Sequence, residues 1–289
     1  MLVRAAADPR QTHAQNLTAG RGLLAIDDRG GRSVVTRARA TSPLKLFTPR
    51  NHGHAAWVYL ASYGGGLLDG DALDVDVQLG PDACAMISTQ SWTKVYRPRE
   101  GSSRGASVAL NACVRAGGTL LLLPDPVVCF AGARFEQLQR IDLDEGAGLV
   151  LVDWVGAGRR AAGERWQFAH YTSRLTVCRG GRLSFVDRCL LSPLHGSLAE
   201  RLGRFNVLCT IVVVGPTLAA PVERLLALAA GGPAARRSPM LFSVSRLQQG
   251  DGAVVRLAGE SFEHVALRVR EILDFVPSLL GDDPWARKW

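Results

Sequence analysis

Lysine is nearly missing from this 289-residue chain, occurring only at Lys45, Lys94 and Lys288, so arginine supplies most of its 34 basic residues. Against 26 acids they leave a net charge of +8 and a pI near 9.6. That balance admits nucleic acid, an anionic surface or an acidic protein as partner. A nucleic-acid reader gathers its charge on one element, whereas here only short pairs such as Arg159-Arg160 and Arg236-Arg237 stand together. No zinc-finger, RRM or basic-helix pattern accompanies them. An arginine-rich soluble surface is the simplest reading, an acidic protein partner comes second, and no nucleic-acid partner is expected.

Paired cysteines are also lacking. Cys84, Cys113, Cys129, Cys178, Cys189 and Cys209 are widely spaced with no C-x-x-C, which removes the usual zinc and thioredoxin-like motifs. Buried free thiols acting as small hydrophobes are expected. The start, MLVRAAADPRQ, has no apolar h-region, so no secretion signal is expected. Apolar runs such as Ile211–Val214 fall far short of the roughly 20 residues of a membrane helix. A soluble, cytoplasmic chain with no membrane partner follows. There is no G-x-x-x-x-G-K-[ST] run, hence no P-loop. No fixed period marks a repeat.

What is present is a succession of short strand-like runs punctuated by Gly, Pro, Asn and Asp. They fall at Ser33–Ala40, Ala55–Ala61, Ala72–Leu79, Ala83–Ser88, Ala106–Val114, Thr119–Leu123, Phe135–Leu143 and Gly148–Val155. Further runs follow at Trp166–Cys178, Arg182–Leu191, Asn206–Val214, Met240–Leu247 and Ala253–Leu257. Such spacing indicates an all-β sandwich, barrel or solenoid. Two stretches read as helix instead. Pro221–Ala230 opens on a proline and ends at Gly231-Gly232. From Phe262 to Val276 the apolar residues share one helical face, and Pro277 is expected to close it. Residues 1–20 are polar and aperiodic and are expected to be mobile; residues 21–289 are expected to form one domain.

The densest signal is Tyr63 to Arg97: YGGGLLDGD, then ALDVDVQLGPDACAMIS, then TQSWTKVYR. Leu73, Val75, Val77 and Leu79 alternate with polar residues as in a half-buried strand. Gly80-Pro81-Asp82 turns the chain, and Cys84, Met86 and Ile87 suggest a returning strand. A β-hairpin is predicted, with Gln90, Thr93 and Lys94 on its rim. Asp69 and Asp71 flank Gly70 at its mouth. Two carboxylates so close can hold a cation, but turns also favour Asp because its side chain bonds nearby backbone donors. Spacing alone favours the turn.

These motifs resemble those of the urease accessory proteins of the UreD (also UreH) family. LPDPVVCFAGARF at Leu123–Phe135, Gly158-Arg159 with Gly163-Glu164, ERLGRFNVL at Glu200–Leu208 and the Arg287-Lys288-Trp289 tail extend the likeness in order. It runs from about residue 30 to the last. The resemblance implies a mainly β fold, with many short strands in an extended β-helix-like arrangement and two α-helices towards the C-terminus. It implies no enzymatic activity and no tightly bound cofactor. A scaffold is implied that docks apo-urease and joins UreF- and UreG-type proteins, with Ni²⁺ held only in transit. Family members use a helical region and the C-terminus to dock the UreF-type partner.

Asp71 and Glu164 match characteristic family acids, proposed there to line the nickel route, and Asp69 lies beside them. A carboxylate suits transit because it holds Ni²⁺ more weakly than imidazole or thiolate. Gln90, Thr93, Lys94 and Arg159 are expected to support that network. Trp92 and Asp125 depart from the family, which usually has a small residue at the first position and often Glu at the second. His52 and His54 could share a face and bind metal, although Pro49, Asn51 and Gly53 around them read as a turn. Two rival classes remain: a Ser/Cys-dependent hydrolase using Ser103 of Gly101–Gly105 or a cysteine, and a basic nucleic-acid-binding module. The G-x-S-x-G match lacks the strand before it and the helix after it that a nucleophile elbow needs.

Overall fold

A computed structural model describes residues 19–102, 104–228, 237–248 and 250–286. The expected mobile segment therefore falls almost wholly outside the described residues, as do Ser103 and the Arg287-Lys288-Trp289 tail.

The described chain is mainly β. It begins with β1 (Gly20–Asp28), β2 (Ser33–Ala40), β3 (Leu44–Phe47) and β4 (Ala56–Ser62). Then come β5 (Ala72–Leu79), β6 (Cys84–Thr89), β7 (Thr93–Val95), β8 (Ala106–Val114), β9 (Thr119–Leu122) and β10 (Val127–Cys129). β11 (Arg134–Leu143), β12 (Gly148–Gly156), β13 (His170–Arg179) and β14 (Arg182–Leu191) follow. The C-terminal part comprises α1 (Leu198–Arg201), β15 (Val207–Val214), α2 (Ala219–Leu228), β16 (Met240–Arg246), β17 (Gly252–Gly259), α3 (Phe262–Ile272) and α4 (Val276–Leu280).

Two sheets carry the fold. The first runs β14-β13-β11-β8-β5-β1-β2 and the second β16-β17-β15-β12-β9-β6-β4-β3. Their centres are parallel: β1, β5, β8, β11 and β13 stack in one, and β4, β6, β9 and β12 in the other. A short third face joins them, where β7 and β10 pair in parallel and β10 meets the end of β12. Each turn of chain passes from the first sheet through a tight arch to the second, then by the third face back to the first. This is the β-helix-like arrangement.

The predicted hairpin of β5 and β6 does not form. β5 pairs with β1 and β8, whereas β6 pairs with β4 and β9 in the other sheet. Gly80-Pro81-Asp82 is an arch between sheets, with Asp82 at φ 57°. Burial explains the choice. β5 alternates buried and exposed residues, because one side of its sheet meets water. β6 is buried from Cys84 to Ser88, since its sheet is covered on both sides. Its inward Ala85 and Ile87 join Val75, Val77 and Leu79 between the sheets. Its outward Cys84 and Met86 join a second core with Val265, Val269 and Ile272 of α3.

The helices differ from expectation at their ends: α2 opens at Ala219, before Pro221, and its expected close at Ala230 and Gly231-Gly232 lies outside the described residues. Two long ones, α2 and α3, are present, but Pro277 does not close α3. It lies in the first turn of the separate α4, where its missing N–H costs nothing. α3 instead stops at Ile272, its last turn closed by the Leu273 N–H on the Val269 carbonyl.

Leu151 lies wholly buried between the sheets. Leu151→Ala should lower unfolding free energy by about 2–5 kcal/mol through a cavity that a stacked core cannot refill. Denaturant unfolding checks this; a loss under about 1 kcal/mol would mean the intersheet space is loosely packed.

Candidate functional site

The corners between the third face and the first sheet carry the acids singled out in the sequence. Four such corners stack: Leu68–Asp71 before β5, Tyr96–Gly105 before β8, Phe130–Ala133 before β11 and Ala157–Ala169 before β13. Their backbone N–H groups bond within the corner or to a neighbouring coil, as Gly70 does to Gly105 and Gly132 to Gln167.

Asp69 and Glu164 bridge neighbouring corners. Asp69 Oδ1 accepts from the Gly105 N–H at 2.9 Å, and the Gly70 N–H donates to the Gly105 carbonyl at 2.7 Å. Gly105 sits at φ 76°, and a Cβ there would strike the Arg134 backbone. A hydrogen bond from Ser102, with smaller help from the Gly105 N–H and Arg104, holds the Asp69 carboxyl below its ordinary range despite some desolvation. Glu164 Oε2 accepts from the Ala131 N–H at 3.2 Å and from Arg159 Nε at 3.1 Å, while Oε1 bonds Arg159 Nη2. Arg159 also lies 4.2 Å over the Phe130 ring, which meets Tyr96 edge-on. The Arg159 hydrogen bonds lower the Glu164 pKa, outweighing its burial.

Asp71 stays within its own corner. Its Oδ2 accepts from the Leu68 N–H at 2.8 Å, its carbonyl accepts from the Ser107 N–H, and Gly70 between the two acids has φ 84°. This is the local turn bonding that Asp favours.

Gln90, Thr93 and Lys94 lie elsewhere on the coil. Gln90 follows β6, exposed, with its N–H on the Leu60 carbonyl. Thr93 donates its backbone N–H to Pro126, and Lys94 accepts from the Leu67 N–H through its carbonyl. The Asp71 carboxylate bonds the Leu68 N–H, within its own corner, and not these side chains. Trp92, the larger residue at its position, packs 4.5 Å from the Phe262 ring. Arg159 is the expected supporting residue in direct contact with a candidate acid.

His52 and His54 are exposed in a turn, as their neighbours suggested, and Gly53 between them is buried. A Cβ on Gly53 would fall 2.1 Å from the Leu280 carbonyl, and the His52 N–H donates to Asp282. The loop thus seats the end of α4. Among the described residues no group of three or more His, Cys, Asp or Glu side chains is placed to hold a metal ion.

One acid had no signal in the sequence analysis. Asp153 sits in the apolar run Leu149–Val155, at the inward parity of β12. Gln137 Nε2 donates to its Oδ1 at 2.9 Å and Ser173 Oγ to its Oδ2 at 2.7 Å, so three strands meet at one carboxylate. Burial raises its pKa against those hydrogen bonds. Beside it lies a cavity of about 80 Å³, also lined by Thr89, Thr93, Asp125 and Gln139. Alternation gives no warning of it, because β12 is buried on both faces, although an acid within such an apolar run needs a partner wherever it points.

Four of the thiols are chemically quiet. Burial pushes Cys84 and Cys189 up to about 12 and raises Cys129 and Cys209 as well. A thiol kept protonated is a poor nucleophile. Among the described residues no helix is long and apolar enough to cross a membrane.

A β-helical scaffold with acid-stapled corners is the class of protein that this geometry defines. The model of the UreD urease accessory protein family matches residues 18–289. A urease accessory protein UreD of Sorangium cellulosum is 50% identical over 271 residues, covering 94% of this chain and 85% of that protein. One from Anaeromyxobacter is 42% identical, covering 94% and 90%. Urease accessory protein D of Oryza sativa subsp. indica is 32% identical, covering 92% and 95%. The chain belongs to the UreD family of urease accessory proteins.

Glu164 has a lowered pKa in the folded state, so its contribution to stability is full above the ordinary glutamate range and is lost as pH falls through the folded value. Glu164→Gln should cost about 1–3 kcal/mol at pH 7, and the gap from wild type should close as pH drops below about 4. Denaturant unfolding across that range checks it; a gap that persists at low pH would mean the side chain acts through packing rather than charge.

Proposed function

We propose that this chain is a cytoplasmic maturation scaffold that docks apo-urease and, with UreF- and UreG-type partners, supports nickel delivery into the urease active site. The observation that carries this reading is the family match over residues 18–289, with relatives named as urease accessory proteins. The chain catalyses nothing itself and holds no resident cofactor. Ni²⁺ is cargo.

The corner acids suit that cargo. Asp69 and Glu164 have lowered pKa values, so both are anionic at neutral pH. Carboxylates bind Ni²⁺ and release it more readily than imidazole or thiolate would. Glu164 can exchange a partner, because the Arg159 side chain it pairs with is half exposed. Asp71 shares its corner with Asp69 and is partly open to solvent. In this reading Asp69, Asp71 and Glu164 pass the ion and Arg159 positions Glu164, while Gln90, Thr93 and Lys94, elsewhere on the coil, offer a separate polar rim. His52 and His54 are the lesser candidates for first contact with the metal.

Urease activity in cells expressing the structural subunits and accessory proteins at limiting nickel tests the reading. Omitting this chain should abolish activation, and Asp71→Ala or Glu164→Ala should reduce it several-fold with the purified variants still folded. Full activation by both variants would sink the carboxylate route. Full activation without the chain would sink the accessory role.

A further inference from the structure

Among the described residues both sheets end in strands with no further strand beyond them, and three of these four edges are blunted. β2 ends in exposed Arg37 and Arg39, charges that discourage edge pairing. β3 has only four residues. β16 packs against α2, with Arg246 paired to Glu223 and Arg268 5.0 Å over the Phe242 ring.

β14 is the exception. It spans ten residues, pairs among the described residues only with β13, and keeps regular register from Phe185 to Leu191, its bulge lying at the far end. Its outward side chains are apolar and exposed: Leu183 is 60% exposed, Val186 37% and Leu190 61%, with Leu194 beyond the strand at 85%. Among them stands Arg188, directly opposite Arg174 of β13, both exposed. Like charges in a cross-strand pair are destabilising. Among the described residues neither arginine makes an ion pair. The residue beside Arg174 on β11 is Leu138, and the one acid of β14, Asp187, bonds Arg256 of the other sheet.

An open edge, apolar side chains at alternate positions and an unopposed pair of arginines together describe a docking strand. From this we infer that β14 adds an extended, acidic and apolar segment of a partner protein to the first sheet, with carboxylates of that segment set against Arg174 and Arg188. A second copy of this chain is a poor occupant, because β14 against β14 would bring further arginines together. Resting on the proposed accessory role, the partner is apo-urease.

The test uses the purified full chain, apo-urease as the probe, and three variants. Arg188→Glu turns the repulsive pair into an attractive one, so its melting temperature should hold or rise while its affinity for apo-urease falls at least ~10-fold. Leu183→Ser with Leu190→Ser should weaken binding similarly without unfolding, since both side chains are exposed. Arg37→Glu with Arg39→Glu, on the opposite edge, should change affinity by less than about twofold. Wild-type binding should weaken as salt is added. Unchanged affinity in the two β14 variants, with wild type binding and supporting urease activation, would overturn the docking edge alone. A wild-type chain that neither binds apo-urease nor supports activation would overturn the accessory role and this inference with it. Loss of self-association by light scattering, with apo-urease binding intact, would assign the edge to a second copy and overturn the acidic partner.

Discussion

The structure depends on parallel stacking of successive coils. A single coil exposes its backbone N–H and C=O groups on two sides and its apolar side chains on the inside, so it gains nothing alone. The register shows how strictly neighbours answer one another: Leu79 lies on Val114 and Val114 on Leu143 in the first sheet. Cys84 lies on Thr119 and Thr119 on Gly148 in the second. The two sheets therefore advance together, and the arches between them stack in turn. A change that shifts one strand by a residue would turn the apolar set of that coil away from the core.

Stacking also makes the corners chemically special. Where the chain turns between faces, its N–H groups leave the ladder and need acceptors. Asp69 and Glu164 provide them from the adjacent corner, which ties turn to turn along the axis. The same arrangement leaves anionic oxygens at the outer margin of the coil. A structural staple and a weak cation ligand thus call for one side chain. A carboxylate anchored by a backbone donor keeps further lone pairs for other ligands. Glu164 shows the tension most clearly, since its free valence is already taken by Arg159.

Much of this was legible in the sequence, and the losses have physical reasons. Strands β2, β5, β8 and β14 fall at the runs read between turn residues, and in β5 the alternation matches a sheet with one side in water. The number and order of short strands gave the mainly β class, while the β-helix-like form came from the family resemblance. Period gave no help, since the stacked positions Leu79, Val114 and Leu143 are unevenly spaced along the chain. β7 and β10 are three residues each, too short for alternation to register. The β5–β6 hairpin failed because a tight turn between two strands has the same sequence whether they pair or face each other across a core. At the site, the turn bonding of Asp71 and Gly70 was readable from composition. Asp153 was not, because in a strand buried on both sides an acid is surrounded by apolar letters whichever way it points.

The ends of the stack complete the argument. Parallel coils could in principle add without limit, and here each sheet is closed by strands that run antiparallel to their neighbours: β2, β14, β16 and β3. Closing the ladder this way ends the repeat without ending the supply of open backbone groups, so each last strand needs its own protection. Charge, shortness and helix packing supply it at β2, β3 and β16. Around β14 the sequence supplies leucines and an arginine opposite an arginine, which increases both the apolar area and the electrostatic repulsion left for something else to relieve. The stacking principle that builds the fold thus accounts for every edge but one. That edge is the one which the inferred partner segment would cover.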